Sequence, residues 1–258
     1  MSLPHPFNLD GRVAVVTGAA SGLGIEFSEA MAEAGADVVC SDVNEGACEE
    51  TAERVRGLGR DALAVRCDVS KEDDVKAMVE RTVERFGRVD VLFNNAGIAD
   101  AAPVHEYPTE NWHQVIDVDL HGVYYCAREC LKVMVGQGSG KIINIASIWG
   151  LAGASSVFPI PAYNAAKGAV VNLTRELGLE YATQGIQVNA ICPGFFRSRL
   201  AGGACDDPDF VSAITEFTPM KRVAEASEIR GAAIFVASAA SENMTGQMLV
   251  LDGGVLAK

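Results

Sequence analysis

Short apolar runs alternate with amphipathic segments along almost the whole of this chain. Seven runs have the length and β-branched content of buried strands: Val13–Thr17, Asp37–Ser41, Ala62–Cys67, Val89–Phe93, Lys141–Ala146, Gln187–Cys192 and Met248–Leu251. Six segments have the apolar period of helices: Ile25–Ala34, Glu45–Leu58, Glu72–Phe86, Trp112–Val135, Ala162–Ala182 and Ser227–Ala239. Strands that alternate with helices predict an α/β fold, a parallel sheet of about seven strands with helices on both faces.

The length of the chain, 258 residues, allows a sizeable core, and no repeat or linker divides it. Chains of this size commonly form one unit when they are α/β proteins, so we predict a single domain over residues 1–258. Residues 193–223 are the only long stretch without a clear period. Loops of that length in compact domains are usually functional, which predicts a substrate lid around residues 194–223.

The charge balance excludes several classes of partner. With a net charge of −13, the chain lacks the surplus of Lys and Arg that binding to nucleic acid or to an anionic membrane requires. Its seven cysteines form no C-x-x-C pair, and its four histidines have no metal-ligand spacing, so we predict buried thiols and no metal site. No secretory signal or membrane span is visible, which predicts a cytoplasmic protein.

A glycine-rich turn joins the first predicted strand to the first helix. It contains Gly18, Ser21, Gly22, Leu23 and Gly24. Such a turn lets a pyrophosphate approach backbone amides at a helix N-terminus, where the helix dipole favours an anion. Asp42 ends the second strand, where a carboxylate accepts hydrogen bonds from a ribose 2′-hydroxyl and repels a 2′-phosphate. A dinucleotide site is therefore predicted, although Asp42 is also a candidate N-cap of the second helix.

Tyr163 and Lys167 are four residues apart on a predicted helix, so the phenol and the ammonium group share one face. A neighbouring cation favours the phenolate, which predicts a lowered tyrosine pKa and a usable acid or base. Ser147 ends the fifth strand and is placed to hydrogen-bond the oxygen of a carbonyl or an alcohol.

In chain order, these motifs resemble those of the short-chain dehydrogenase/reductase superfamily. The superfamily's wide glycine spacing is matched by Gly18-x-x-x-Gly22-x-Gly24, and its Tyr-x-x-x-Lys motif by Tyr163 and Lys167. Further matches are Asp68-Val69, Asn94-Asn95-Ala96-Gly97, Ser147, Pro193-Gly194 and Asp252-Gly253-Gly254. The set covers essentially the whole chain. Among the members, the overall likeness is to gluconate 5-dehydrogenase-like and 3-oxoacyl-[acyl-carrier-protein] reductase-like enzymes.

The resemblance implies a Rossmann-type doubly wound sheet and hydride transfer between a secondary alcohol and a nicotinamide cofactor. Tyr163 would be the acid or base, Ser147 would bind the reacting oxygen, and Lys167 would also hold the nicotinamide ribose. Besides the glycine turn and Asp42, the implied cofactor-binding residues are Asp68, Val69, Asn95, Ala96, Gly97, Tyr163, Lys167, Pro193, Gly194, Phe196 and Ser198. Asp42, with Ser21 rather than a basic residue in the turn, is similar to the NAD-preferring branch. Since we find no cation in register for a 2′-phosphate, we expect NAD rather than NADP.

Two positions depart from the family pattern. The fourth catalytic member is usually Asn, whose duties are a helix distortion and a water in a proton relay, but Val118-Asp119-Leu120 places an acid there. An ionised Asp119 accepts hydrogen bonds without donating them, so we predict a retained relay with an altered pH dependence. The interval from Ser147 to Tyr163 is also longer than is common in the family, which predicts that Trp149 to Pro161 reshapes one wall of the substrate pocket.

The sequence leaves the substrate open. Trp149, Phe158 and Phe195 are candidates to flank an apolar or sugar ring, and core packing is the alternative for all three. Arg197 and Arg199 are candidates to bind a carboxylate, and the alternative is two solvated arginines balanced by Asp206, Asp207 and Asp209.

We rank a small polyol, sugar acid or other secondary alcohol above carrier-bound acyl chains. An acidic carrier protein needs a basic landing patch, whereas Lys132 and Gln184 occupy the two positions where that branch commonly has arginine. A third reading, of a different class, is a non-catalytic NAD-binding regulator or scaffold.

The helices Trp112–Val135 and Ala162–Ala182 carry apolar residues on more than one face. The resemblance implies that such helices form a four-helix dimer interface, with residues Val255 to Lys258 helping to build a tetramer. We therefore predict a homotetramer.

Overall fold

A seven-stranded parallel sheet forms the centre of the protein. The computed structural model describes residues 5–198, 200 and 207–257. The strands are β1 (Val13–Thr17), β2 (Asp37–Asp42), β3 (Ala62–Arg66), β4 (Val91–Asn94), β5 (Gly140–Ile145), β6 (Ile186–Pro193) and β7 (Met248–Leu251). Their order in the sheet is β3-β2-β1-β4-β5-β6-β7, with every pairing parallel. The predicted doubly wound α/β fold is confirmed.

The described residues contain eight α-helices. They are α1 (Leu23–Glu33), α2 (Glu45–Gly57), α3 (Glu72–Phe86), α4 (Thr109–Ile116), α5 (Gly122–Gln137), α6 (Pro161–Glu180), α7 (Pro208–Phe217) and α8 (Arg230–Ala237). In the same part of the chain, no helix is both long enough and apolar enough to cross a membrane.

Alternate residues of each strand pack against opposite layers of helices. In β1, Ala14 and Val16 pack with Phe27 of α1, whereas Val13 and Val15 pack with the cluster on the other face. All five residues of β1 are buried, because helices cover both faces of the sheet. This explains why the strands read as continuous apolar runs.

Three local predictions were wrong. The predicted single helix Trp112–Val135 consists of α4, a π-helical segment at Asp117–His121 and α5. The predicted irregular stretch 193–223 contains α7, and the predicted helix Ser227–Ala239 begins as a 3₁₀ turn before α8. Part of the predicted lid, residues 199 and 201–206, lies outside the described residues, and so do Arg199, Cys205 and Asp206.

The winding of the sheet creates the site. From β1 the chain adds strands outward to β3, and it then returns to add β4 on the other side of β1. The reversal leaves a crevice at the carboxyl ends of β1 and β4, which is where ligands bind in open α/β sheets. The glycine turn, residues 95–97, Ser147 and Gly194 all follow strands at this edge.

Candidate functional site

The glycine turn has a backbone that larger residues would disturb. Gly18 has φ +66°, and a Cβ on it would lie 2.8 Å from the Cα of Ala96. Gly24 packs against the carbonyl of Gly18, so a side chain there would collide with it. Gly22 is the N-cap of α1. It has no side chain that could occupy the first backbone N–H groups of this helix in place of a ligand. These features fit an anion at the helix N-terminus, as predicted for a pyrophosphate.

Thr17 and Asn95 lock the turn to the strand beside it. Asn95 Nδ2 donates to the carbonyl oxygens of Thr17 (2.9 Å) and Gly18 (3.2 Å). The Thr17 hydroxyl accepts from the backbone N–H groups of Asn95 (3.0 Å) and Ala96 (3.1 Å). The element Asn94-Asn95-Ala96-Gly97 therefore braces the sheet beside the turn.

Asp42 is held at the edge of the crevice by two backbone groups. Its Oδ2 accepts from Ala20 N–H in the turn (3.2 Å), and its Oδ1 accepts from Asn44 N–H (3.0 Å). The N-cap of α2 is Asn44, so the alternative reading of Asp42 as that cap is wrong. The expectation that no cation lies in register is also wrong, since Arg66 is the β3 partner of Asp42.

Asp68 and Val69 follow β3 at the same edge. Asp68 Oδ1 accepts from both the backbone N–H (3.0 Å) and the hydroxyl (2.7 Å) of Ser70, which fixes the carboxyl group. Val69 is buried, and its side chain fills the space where a Cβ on Gly122 would lie, 2.7 Å from Val69 Cγ2. Both residues are where the motif placed them.

Ser147, Tyr163, Lys167 and Asp119 form a buried polar group in which every residue is at most 7% exposed. Lys167 Nζ donates to the carbonyl of Ile145 (2.9 Å), and it lies 3.2 Å from Asp119 Oδ2 and 5.5 Å from the centroid of the Tyr163 ring. The four side chains predicted to be catalytic are therefore brought together.

Asp119 lies in the π-helical segment between α4 and α5, where the helix widens. Its Oδ1 accepts from the backbone N–H of Ile98 (2.8 Å). A Cβ on Gly97 would lie 2.9 Å from Asp119 Oδ2, so glycine makes room for the carboxylate. Among the described residues, Oδ2 has no hydrogen-bond partner and faces Lys167 only as an ion pair.

The predicted lowering of the Tyr163 pKa is wrong. Burial raises the pKa of Tyr163, and the negative charge of Asp119 adds to this, so together they outweigh Lys167 and a hydrogen bond with Ser147. For Lys167, burial opposes the charged form, but Asp119 and Tyr163 outweigh it and raise the pKa. The arrangement therefore holds a neutral phenol beside an ammonium group at neutral pH.

Behind Ser147, the chain builds an aromatic wall. The Trp149 ring lies edge-on to Phe158 and to Phe195, each at 6.1 Å between centroids. It also lies 6.3 Å from Phe217, a residue of α7 that sequence analysis missed. Asp207 at the N-cap and Pro208 in the first turn of α7 are the sequence signal that would have revealed this helix.

The remaining predicted residues lie between β6 and α7. Gly194 packs on Asp252, Phe196 is buried against the core and Ser198 is half-buried. Arg197 is exposed, and its Nε donates to Glu225 (3.0 Å). A solvated arginine with an acidic partner therefore describes Arg197, and among the described residues that partner is Glu225.

Comparisons with known proteins identify the family to which this chain belongs. The model of a family described as "Enoyl-(Acyl carrier protein) reductase" matches residues 18–256. A cis-4-hydroxycyclohexanecarboxylate dehydrogenase of Sinomonas cyclohexanicum is 43% identical over 95% of this chain and 97% of its own. A 2-dehydro-3-deoxy-D-gluconate 5-dehydrogenase of Dickeya dadantii is 37% identical over 98% of this chain and 99% of its own.

A solved structure gives the same result. A gluconate 5-dehydrogenase from Burkholderia cenocepacia, in complex with NADP and tartrate, superposes with a TM-score of 0.92 at 38% identity and 98% coverage of both chains. Together with the glycine turn and the buried Ser-Tyr-Lys group, these matches establish that the protein belongs to the short-chain dehydrogenase/reductase family, as an oxidoreductase that interconverts secondary alcohols and ketones with a nicotinamide cofactor.

Proposed function

We propose that this enzyme uses NAD(H), with Tyr163 as acid and base, Ser147 as the group that binds the reacting oxygen, and Lys167 and Asp119 as the charges that set the proton affinity of Tyr163. The observation that carries the proposal is the buried Ser147–Tyr163–Lys167 group at the carboxyl edge of the sheet, beside the glycine turn. The nicotinamide supplies the hydride for ketone reduction and accepts it in alcohol oxidation.

The chain's own residues handle the proton. In ketone reduction, the Tyr163 hydroxyl gives its proton to the carbonyl oxygen as the carbonyl carbon receives a hydride, and in alcohol oxidation the phenolate takes that proton back. Ser147 Oγ hydrogen-bonds the same oxygen and holds it in place. The backbone N–H of Trp149 donates to this Oγ (3.1 Å), which orients the hydroxyl. Lys167 stabilises the phenolate by its charge.

The test of these roles is Tyr163→Phe, with Tyr181→Phe at the end of α6 as the matched control. We expect Tyr163→Phe to lose at least 1,000-fold in kcat, a loss in the range of general acid–base catalysis, while its affinity for NAD stays within threefold of the wild type. Tyr181→Phe keeps wild-type turnover. Full activity of Tyr163→Phe would remove the assigned role, and the non-catalytic alternative requires the wild type itself to bind NAD without turnover.

The preference for NAD rests on Asp42. Its carboxylate is fixed by Ala20 and Asn44 at the end of β2, where a 2′-phosphate would meet a negative charge. Arg66 opposes this effect, but its guanidinium lies 3.6 Å from Asp74, which accounts for part of its charge. The Burkholderia gluconate 5-dehydrogenase was solved in complex with NADP, so the preference needs a direct measurement.

We expect kcat/KM to be at least tenfold higher with NAD than with NADP. Asp42→Ser should reduce that ratio by tenfold or more, because it removes both the repulsion and the ribose acceptor. Asp37→Asn, at the opposite end of β2, is the matched control and should leave the ratio unchanged. Comparable efficiency of the wild type with the two cofactors would overturn the preference.

The substrate class is a small polyol, sugar acid or other secondary alcohol rather than a carrier-bound acyl chain. Lys132 and Gln184 occupy the two positions where the carrier-protein reductases commonly have arginine, so Lys132 is the only basic residue of the two. Its ammonium group is paired with both carboxylate oxygens of Glu129 (2.7 and 2.8 Å). It is therefore neutralised locally, which supports a free small molecule as the substrate.

A homotetramer in the cytoplasm completes the proposal. Tyr124 and Val135 of α5 and Leu179 of α6 are 46%, 44% and 76% exposed, which supports a partner on these helices. The six described cysteines are free and buried, as is common for proteins in a reducing compartment. A monomeric mass in light scattering would refute the assembly.

A further inference from the structure

Asp42 and Arg66 lie side by side at the carboxyl edge of the sheet. They are paired residues of the neighbouring parallel strands β2 and β3, which run about 4.8 Å apart. Side chains alternate between the two faces of a strand. Cys40 and Ala64, each two residues earlier, both pack in the core layer that includes Phe27 of α1. Asp42 and Arg66 therefore leave the sheet on that same face, and a cation stands next to the acid assigned to the ribose.

The two charged groups do not pair with each other. Both oxygens of Asp42 accept backbone N–H groups, one from Ala20 and one from Asn44. In the described part of the chain, Arg66 forms its ion pair with Asp74, at 3.6 Å between Nη1 and Oδ2. This distance is too long for a hydrogen bond. The N–H donors of the guanidinium are therefore available to a ligand.

Arg66 is the member of this ion pair that can turn toward a ligand. Its side chain is 58% exposed, whereas that of Asp74 is 33% exposed. Asp74 Oδ2 also accepts from the backbone N–H of Asp68 (3.0 Å), which fixes the carboxylate. An exposed ion pair without a hydrogen bond contributes little to stability, so its separation costs little.

A 2′-phosphate has the chemistry to draw Arg66 away from Asp74. The carboxylate assigned to the ribose 2′-oxygen is that of Asp42, so a phosphate on this oxygen would come next to Arg66. A phosphate group carries close to two negative charges at neutral pH, and a guanidinium binds it through two parallel N–H groups. A 2′-hydroxyl has no charge to attract. Arg66 therefore distinguishes NADP from NAD, in the direction opposite to that of Asp42.

We propose that Arg66 is a cofactor-specificity residue, which binds the 2′-phosphate of NADP in competition with Asp74 and so limits how far Asp42 excludes NADP. This inference rests on the proposed function, whose preference for NAD it describes as a balance of three charges. Asp42 repels the 2′-phosphate and Arg66 attracts it. Asp74 weakens that attraction because it holds the guanidinium when no phosphate is present.

The test measures the binding of NAD and of NADP to the purified full chain by calorimetry. The two cofactors differ only in the 2′-phosphate, so the readout is the ratio of their affinities, and a variant that merely disturbs the fold changes both alike. We expect the wild type to bind both, NAD more tightly. Arg66→Gln should lower the affinity for NADP relative to NAD at least fivefold. Asp74→Asn, which keeps an acceptor for Asp68 N–H, should raise it at least threefold.

Three controls separate the contact from the general field of charges. Arg81→Gln and Asp73→Asn make the same changes of charge at exposed positions of α3, and each should change the ratio less than twofold. The double variant of Arg66→Gln and Asp74→Asn should keep the ratio of Arg66→Gln alone within twofold, since Asp74 acts through Arg66.

The outcomes distinguish this inference from the proposed function. An unchanged ratio in Arg66→Gln, or a wild type that binds NAD without binding NADP, would overturn the role of Arg66 and leave the proposed function standing. An effect of Asp74→Asn that persists in the double variant would overturn the competition between Asp74 and the phosphate. A wild type that binds neither cofactor would overturn the proposed function as well.

Discussion

Replacing Asp119 with Asn tests the electrostatics of the catalytic group most directly. Asn has the same shape and keeps an acceptor for Ile98 N–H, but it removes the negative charge that lies 3.2 Å from Lys167 Nζ. At that distance, an effective dielectric constant of about 20 gives an attraction of about 5 kcal/mol. Desolvation of the carboxylate offsets much of it, and removing one partner of a buried pair typically costs about 3 kcal/mol.

We therefore expect Asp119→Asn to reduce the free energy of unfolding by about 3 kcal/mol at pH 7, measured by urea denaturation. Because Asp119 contributes to raising the folded-state pKa of Lys167, this contribution is lost as the pH rises above the unfolded lysine pKa of about 10.4 and through the folded value. Burial raises the pKa of Asp119 itself, so the contribution is also lost in acid, where Asp119 takes up a proton. Asp117→Asn, two residues earlier in the same π-helical segment but exposed, should change stability by less than about 0.5 kcal/mol.

The catalytic consequence has a definite sign. Burial raises the Tyr163 pKa, and the negative charge of Asp119 raises it further, so removal of that charge should lower the pKa. Alcohol oxidation needs the phenolate of Tyr163. At a pH below the Tyr163 pKa, lowering that pKa by one unit raises the phenolate fraction, and with it the rate, about tenfold. The rise of kcat/KM for oxidation should therefore move to lower pH, with a several-fold gain at pH 7, while ketone reduction declines earlier as the pH is raised. Profiles that superimpose on the wild type, or that move to higher pH, would refute the reasoning.

Three further predictions concern the framework. Gly18→Ala should weaken NAD binding at least tenfold by calorimetry, because its Cβ would lie 2.8 Å from Ala96 Cα at a φ of +66°; an unchanged affinity would show that the turn yields. Asn144→Ala should cost about 2–4 kcal/mol in urea denaturation, because two buried partners lose their hydrogen bonds. Burial of Asp90 opposes its charged form, but hydrogen bonds, chiefly from Arg88, outweigh this effect and lower its pKa. Asp90→Asn should therefore cost about 2 kcal/mol at pH 7, and the difference should vanish as the pH falls through the native-state pKa, below about 3.9.

The strands were predictable because burial on both faces leaves a direct mark in the sequence. The predicted run Lys141–Ala146 and the observed β5 (Gly140–Ile145) differ by one residue at each end. The candidate site was predictable for a related reason. Its residues follow the ends of parallel strands, and parallel strands bring those ends to one edge whatever the details of packing.

The helices near the site were less predictable because tertiary contacts decide their form. The π-helical segment around Asp119 contains residue types that also occur in α-helices, so helix propensity does not distinguish it from an α-helix. α7 is short and amphipathic, with Phe210, Ile214 and Phe217 facing one side, and its acidic, proline-containing start resembles a loop. The aromatic wall around Trp149, to which α7 contributes Phe217, was therefore only partly predictable.

The tyrosine pKa shows why spacing alone does not give chemistry. Spacing placed Lys167 beside Tyr163 and predicted a lowered pKa, since a cation favours the phenolate. The fold brings the negative charge of Asp119, from the π-helical segment, beside this pair and buries the whole group away from water. With Asp119 balancing Lys167, release of the Tyr163 proton creates a net negative charge among apolar side chains, which is unfavourable. Ketone reduction starts from the neutral phenol, and the charge of the phenolate that it leaves would be balanced by the positive charge of the oxidised nicotinamide. At neutral pH the buried group therefore holds the proton that ketone reduction needs, and the phenolate that alcohol oxidation needs forms as the pH rises.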